Sequence, residues 1–237
     1  MPDMRLSIII PTWCEADNLA RLLPHLQTHG GAAVHEIIVC DADSPDGTRA
    51  TALAHGAVCP PDCGKGRAVQ MNAGARHATG DVLYFVHADV LPPSDYVRQI
   101  EHSIRRGNDL GCFSYRFDRS CWRMRFNAYC TRFGNLVCRG GDQTLYVKRE
   151  VFDALDGYDE YYTIMEDYDF VRRARERYRF DVMDAEAVVS ARKYDTNSYL
   201  RVQLANATVM GMYLTGRFTP SRMKATYRRM LDYRFMG

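Results

Sequence analysis

The apolar positions in the first half of the chain fall into short unbroken runs separated by segments of helical period. Leu6-Ser7-Ile8-Ile9-Ile10, Glu36-Ile37-Ile38-Val39-Cys40 and Val82-Leu83-Tyr84-Phe85-Val86 are rich in β-branched and aromatic residues. Runs of this length that are apolar on both faces predict buried strands of a parallel sheet. Between them, Leu19, Leu22, Leu23 and Leu26 recur at helical spacing, and Asp17 is placed to cap that helix. Residues 48–54 and 67–78 read as the next two helices. Ser94, after Pro92-Pro93, opens a helix carrying Val97, Ile100 and Ile104 on one face. This alternation predicts an α/β fold with a mostly parallel central sheet flanked by helices.

The second half is less regular. Residues 111–117 and 144–147 read as strands, 166–177 as a helix headed by acids, and 181–183 and 188–191 as two further short strands. Residues 121–138 set Trp122, Phe126, Tyr129, Phe133 and Leu136 at helical spacing with arginines between them, the pattern of an amphipathic helix. An acceptor-side flap or anionic groove is the alternative for that segment. Residues 198–215 and 221–233 form a helical C-terminal extension. We expect one domain over residues 1–237: a first half to about 110, a second over about 111–195, and C-terminal helices over about 196–237.

The predicted strands deliver polar chemistry at their ends. The first stops at Pro11-Thr12, the second at Asp41, and the third at His87-Ala88-Asp89, while Glu166-Asp167 heads a later helix. In open α/β sheets, ligands bind beyond the carboxyl ends of the strands.

Five motifs in order carry a family resemblance. They are S-I-I-I-P-T-W-C-E-A-D-N-L, then I-I-V-C-D-A-D-S-P-D-G-T, then G-K-G-R-A-V-Q-M-N-A-G leading into A-T-G-D-V-L-Y-F-V-H-A-D, then G-G-D-Q-T-L-Y-V-K-R-E-V-F-D-A-L-D-G-Y, and finally M-E-D. Together they resemble the family 2 glycosyltransferases, which have the GT-A fold, over about residues 4–177, and the resemblance implies a nucleotide-binding half to about residue 110 and an acceptor and catalytic half over about 111–195. The spelling H-A-D, G-D-Q and M-E-D is similar to a short, soluble bacterial subfamily.

The resemblance implies a metal-dependent, inverting transfer of one sugar from a nucleotide-diphosphate donor, of UDP or GDP type, to an acceptor hydroxyl. Asp167 would be the general base, with Glu166 orienting the acceptor or nearby backbone. Asp89 matches the last acid of the family's D-x-D metal motif, whose first acid is replaced here by His87. A carboxylate suits Mn2+ or Mg2+, and an imidazole ligand favours manganese. Asp41 would meet the base and ribose. A common second acid is Ala42 in this chain, with Asp43 one step further on. Pro11, Thr12 and Glu15, expected on the loop after the first strand, would frame the nucleoside. Lys65 and Arg67, flanking Gly66 before a helix, would contact the diphosphate. Asp142 and Gln143 fall near donor sugar or acceptor by the same analogy. Asn72 reads as structural, and Asp46 as a turn and capping residue.

Composition narrows the picture. Charged residues at 25%, apolar residues at 46% and a net charge of +2 fit a soluble globular protein with no general affinity for nucleic acid. No apolar stretch reaches the ~18 residues of a membrane span, and the first residues lack a secretory core, so a cytoplasmic location is expected. The basic stretch 217–234, preceded by Leu200, Leu204, Val209, Met212 and Tyr213, reads as a solvated helix face or as a peripheral contact with anionic lipid at the inner leaflet, which would suit a lipid-linked acceptor. The eight cysteines read as buried thiols rather than as a disulfide framework or zinc site. Two other classes compete. One is a nucleotidyltransferase, disfavoured because no glycine follows the first strand. The other is a non-catalytic nucleotide-sugar-binding protein of the same fold, kept open by His87 and Ala42.

Overall fold

The computed structural model describes residues 4–119 and 144–232. The amphipathic segment expected over 121–138, and with it Asp142 and Gln143, lies outside the described residues. The described elements are β1 (Leu6–Thr12), α1 (Ala16–Gly30), β2 (Val34–Asp41), α2 (Thr48–Ala54), α3 (Arg67–His77), β3 (Val82–Phe85), β4 (Val90–Leu91) and α4 (Tyr96–Arg105). After them come β5 (Leu110–Phe117), β6 (Leu145–Lys148), α5 (Arg149–Ala154), α6 (Glu166–Arg175), β7 (Phe180–Val189), α7 (Lys193–Thr196), α8 (Tyr199–Thr215) and α9 (Pro220–Met230).

Seven strands form one sheet in the order β2-β1-β3-β6-β5-β7-β4. β1 pairs parallel with β2 and β3, and β5 pairs parallel with β7. β6 runs antiparallel to both β3 and β5, and β4 antiparallel to β7. Five strands therefore point one way, and their carboxyl ends share one edge.

The central strands are apolar on both faces because both faces are covered. Leu6, Ile8 and Ile10 of β1, with Val82 and Tyr84 of β3, pack against Leu19, Leu22, Leu23 and Leu26 of α1. Ile9, Leu83 and Phe85 point the other way, toward Met71 and Ala75 of α3 and Phe170 and Ala174 of α6. The period-2 alternation of a strand thus splits one apolar run between two cores. α3 lies very close to the sheet: a Cβ added at Gly74 would meet Ile9 Cγ2 at 2.4 Å and Cys40 Sγ at 2.9 Å.

Three local expectations change. Asp17 sits in the first turn of α1 rather than capping it. The helix starts at Ala16, whose N–H donates to Asp46 Oδ2 (3.2 Å) from the neighbouring loop. Pro11 and Thr12 are the buried last residues of β1, not part of the following loop. The two pieces expected over 181–183 and 188–191 are one strand, β7. Its pairing with β5 jumps from Met183 opposite Phe113 to Glu186 opposite Ser114. The extra residues Asp184 and Ala185 bulge out, and Ser114 Oγ donates to both of their carbonyls, at 3.0 and 3.1 Å.

Candidate active site

The site forms where β1, β2 and β3 end together. Thr12 lies opposite Asp41 in the sheet register. The Asp41 carboxylate, 7% exposed, accepts from Thr12 Oγ1 at 3.2 Å, from the Ser44 N–H at 3.0 Å and from Ser44 Oγ at 2.5 Å. Buried Gln70 of α3 donates to the carbonyls of Thr12 (2.7 Å) and Cys40 (2.6 Å), stapling the ends of β1 and β2 together. Asp46 takes the Thr48 N–H at 3.1 Å as well as that of Ala16, which confirms its turn and capping work.

Beyond β3, His87 is almost fully buried and Asp89 partly so. His87 Nε2 lies 3.9 Å from Asp167 Oδ2, within ion-pair range when the imidazole is protonated and too long for a hydrogen bond. Burial opposes protonation of His87, but Asp167 outweighs it and the imidazole pKa is raised. Met165, in the left-handed conformation, turns the chain so that Glu166 and Asp167 occupy the first turn of α6. Glu166 is 4% exposed. Burial, reinforced by the neighbouring Asp167 charge, raises its pKa toward the neutral form.

Arg192, just after β7, ties two sequence-distant acids together. Its Nη2 donates to Glu15 Oε1 at 2.7 Å and lies 3.3 Å from Asp89 Oδ2. Glu15 also accepts from Asn18 Nδ2. Arg67 opens α3, is exposed, and acts electrostatically on His87 and Glu166. Lys65 is exposed, two residues ahead of the helix. Asn72 ties α3 to the loop between α5 and α6, donating to the Tyr158 carbonyl (2.8 Å) and accepting the Tyr158 N–H (2.9 Å).

The fold thus joins His87 to Asp167, Asp89 to Glu15, and Thr12 to Asp41. Sequence reading missed Arg192, Gln70 and Ser44. A cation directly after a strand whose carboxyl end shares the edge was the available signal for Arg192. Among the described residues, no three His, Cys, Asp or Glu side chains converge as metal ligands. Asp89 and His87 together provide at most two. That fits Mg2+ or Mn2+, which commonly bind through one or two carboxylates and complete their shell with water and substrate phosphate.

The chain matches the family described as "Glycosyl transferase family 2" over residues 7–155, more than half its length. It belongs to that family of glycosyltransferases. A "Dolichol-phosphate mannosyltransferase" of Pyrococcus furiosus is 30% identical over 112 residues. That match covers 45% of this chain and only 32% of the archaeal protein. A mannosyltransferase from Pyrobaculum calidifontis, solved with GDP-Man and Mn2+, shares the fold with a TM-score of 0.66 at 19% identity. The superposition covers 94% of this chain and 68% of that one. Glucosyl-3-phosphoglycerate synthase from Mycobacterium tuberculosis, solved with Mn2+, UDP and glucosyl-3-phosphoglycerate, matches with a TM-score of 0.61 at 15% identity, covering 96% and 80%.

Proposed function

We propose that this protein transfers one sugar, with inversion, from a nucleoside-diphosphate donor to an acceptor hydroxyl, with a divalent metal bound at Asp89. The observation that carries this reading is that Asp41 and His87-Ala88-Asp89 lie at the carboxyl ends of parallel strands, with His87 Nε2 3.9 Å from the Asp167 carboxylate of α6. Structural relatives solved with GDP-Man or UDP and a divalent ion support the donor class.

Each residue has a chemical task. Asp41 and Thr12 meet base and ribose. Arg67 and Lys65 hold the diphosphate at the start of α3, where helix N–H groups favour anions. Asp89, with His87 in its neutral form, would hold Mn2+ or Mg2+, which supplies positive charge to the departing diphosphate. Asp167 accepts the proton of the attacking hydroxyl. Asp142 and Gln143 keep their proposed place near sugar or acceptor. Among the described residues no helix is long and apolar enough to cross a membrane. Leu200, Leu204 and Leu214 are exposed on α8, beside basic α9, so we extend the proposal to peripheral contact with anionic lipid, testable by liposome flotation.

The test is a thermal-shift panel of UDP-, GDP-, dTDP- and CMP-sugars with Mn2+ and with EDTA. A metal-dependent shift for one diphosphate donor, lost in Asp89→Ala, is expected. A shift indifferent to metal, or one unchanged in Asp89→Ala, refutes the metal assignment.

A further inference from the structure

Arg192 is locked to the backbone that carries Asp89. β7 pairs with β4 through Val189 opposite Val90, and the next N–H, that of Ser190, donates to the Asp89 carbonyl at 3.2 Å. The Arg192 N–H then donates to Ser190 Oγ at 3.3 Å, just before α7 begins. Glu15 is fixed from the other side. Its N–H donates to Thr48 Oγ1 at 2.9 Å, and its carboxylate accepts from Asn18 in the first turn of α1. The guanidinium of Arg192 therefore bridges the start of α1 and the segment between β3 and β4.

Its grip on the two acids is unequal. Glu15 is held by both terminal nitrogens, Nη2 to Oε1 at 2.7 Å and Nη1 to Oε2 at 3.3 Å, the fork that arginine forms with a carboxylate. Asp89 Oδ2 meets the same Nη2 once, at 3.3 Å, as an ion pair. Arg192 is thus anchored on Glu15 and leans on Asp89.

We propose that Arg192 is the resident counter-cation of the metal site: it balances Asp89 before a divalent ion binds and weakens that binding, so that the ion enters together with the nucleoside diphosphate. The proposal rests on the transfer reading above and deepens it by naming what regulates the loading of its metal.

The argument is one of charge. A divalent ion on Asp89 must share that carboxylate with a guanidinium a few ångströms away, and the two cations repel. The Asp89 and Glu15 side chains are only 22% and 16% exposed, so water screens the repulsion incompletely. Glu15 keeps the arginine in place, so its charge stays near the site even when Asp89 turns to the ion. Ions bound through one or two protein groups take the rest of their shell from water and substrate phosphate. Phosphate oxygens thus bring the negative charge that Arg192 has already taken from Asp89. Arg192 acts through Asp89 without touching the ion, which makes it a positioning residue.

The experiment follows Mn2+ binding to the full chain through the electron paramagnetic resonance signal of the free ion, at constant ionic strength. Each protein is titrated without nucleotide and then with UDP or GDP, with thermal unfolding as the folding control. Arg192→Met is expected to bind Mn2+ about tenfold more tightly than wild type without nucleotide. Arg192→Lys, which keeps the charge, should stay near wild type. Glu15→Gln should bind more weakly than wild type, because the arginine loses its anchor and moves onto Asp89. The double variant Arg192→Met/Glu15→Gln leaves neither charge unpaired, which guards against unfolding, and should still bind more tightly than wild type. Equal or weaker Mn2+ affinity in Arg192→Met overturns the proposal. So does a gain in Arg192→Met that vanishes in the double variant, which would make Glu15 a ligand instead. Failure of wild type to take up Mn2+ even with UDP or GDP, or unchanged binding in Asp89→Ala, would refute the metal assignment on which the transfer reading stands.

Discussion

Asp169→Ala tests how the fold holds its proposed base in place. The Asp169 carboxylate is 2% exposed and takes Arg173 Nε at 2.8 Å and Arg172 Nη2 at 3.0 Å. Arg173 then reaches the carbonyls of Leu155 (2.6 Å) and Gly157 (2.7 Å), locking the first turn of α6 to the loop before it. Breaking a buried ion pair costs about 3–5 kcal/mol when the survivor is left unpaired. Here the surviving Arg173 side chain is 25% exposed and keeps its carbonyl partners, so the lower end, about 3 kcal/mol, applies. For a chain of this length that lowers Tm by about 6–12 °C. The second arginine is the control. The Arg172 side chain is 47% exposed, so Arg172→Ala should cost under about 1 kcal/mol. Thermal and urea unfolding measure both, and turnover should fall further than nucleotide affinity in Asp169→Ala because Asp167 sits on the loosened turn. Equal costs for the two variants, or a drop below ~2 °C for Asp169→Ala, would refute the anchoring argument.

Three other outcomes follow from the same geometry. Asp167→Asn should abolish sugar transfer while nucleotide affinity, read by calorimetry, stays within about twofold; substantial residual transfer would remove Asp167 from the role of base. Burial, then the Asp167 charge, raises the Glu166 pKa above its ordinary value of 4.5, so the folded state holds a proton there that the unfolded chain releases. Its contribution to stability is complete below that ordinary value and is lost as pH rises through the folded-state pKa; Glu166→Gln should flatten this fall, and an unchanged stability-against-pH profile would contradict it. Gly74→Ala forces a methyl group to within 2.4 Å of Ile9 Cγ2, so urea unfolding should show a loss of about 1–3 kcal/mol, and a neutral result would mean that α3 can shift off the sheet.

The central half of this architecture was legible because its physics is local. A run such as Leu6 to Ile10 is apolar on both faces only if both faces are covered, and a polar residue ending such a run marks the ligand edge. Asp41, His87 and Asp89 were therefore visible as strand ends before any contact was known. β7 was not visible as one strand, because its bulge at Asp184 and Ala185 interrupts the apolar alternation. Arg192 had only the signature of a cation just after β7: its partner Glu15 is 177 residues away, and only the sheet order brings them together.

The partners of the acids separate their roles more sharply than their spacing does. Asp41 is held by the Ser44 N–H and hydroxyl and by Thr12, Asp89 by Arg192, and Asp167 by His87. Each of these carboxylates has a donor or cation within reach inside a partly buried edge. Glu166 is the exception: it is the most buried of the four, and the desolvation and neighbouring negative charge outweigh what Arg67 and His87 supply. A raised pKa tilts Glu166 toward its protonated form, in which a carboxyl can donate a hydrogen bond. On α6 this supports the proposed division of roles, with Asp167 as the base and Glu166 as the residue that orients the acceptor.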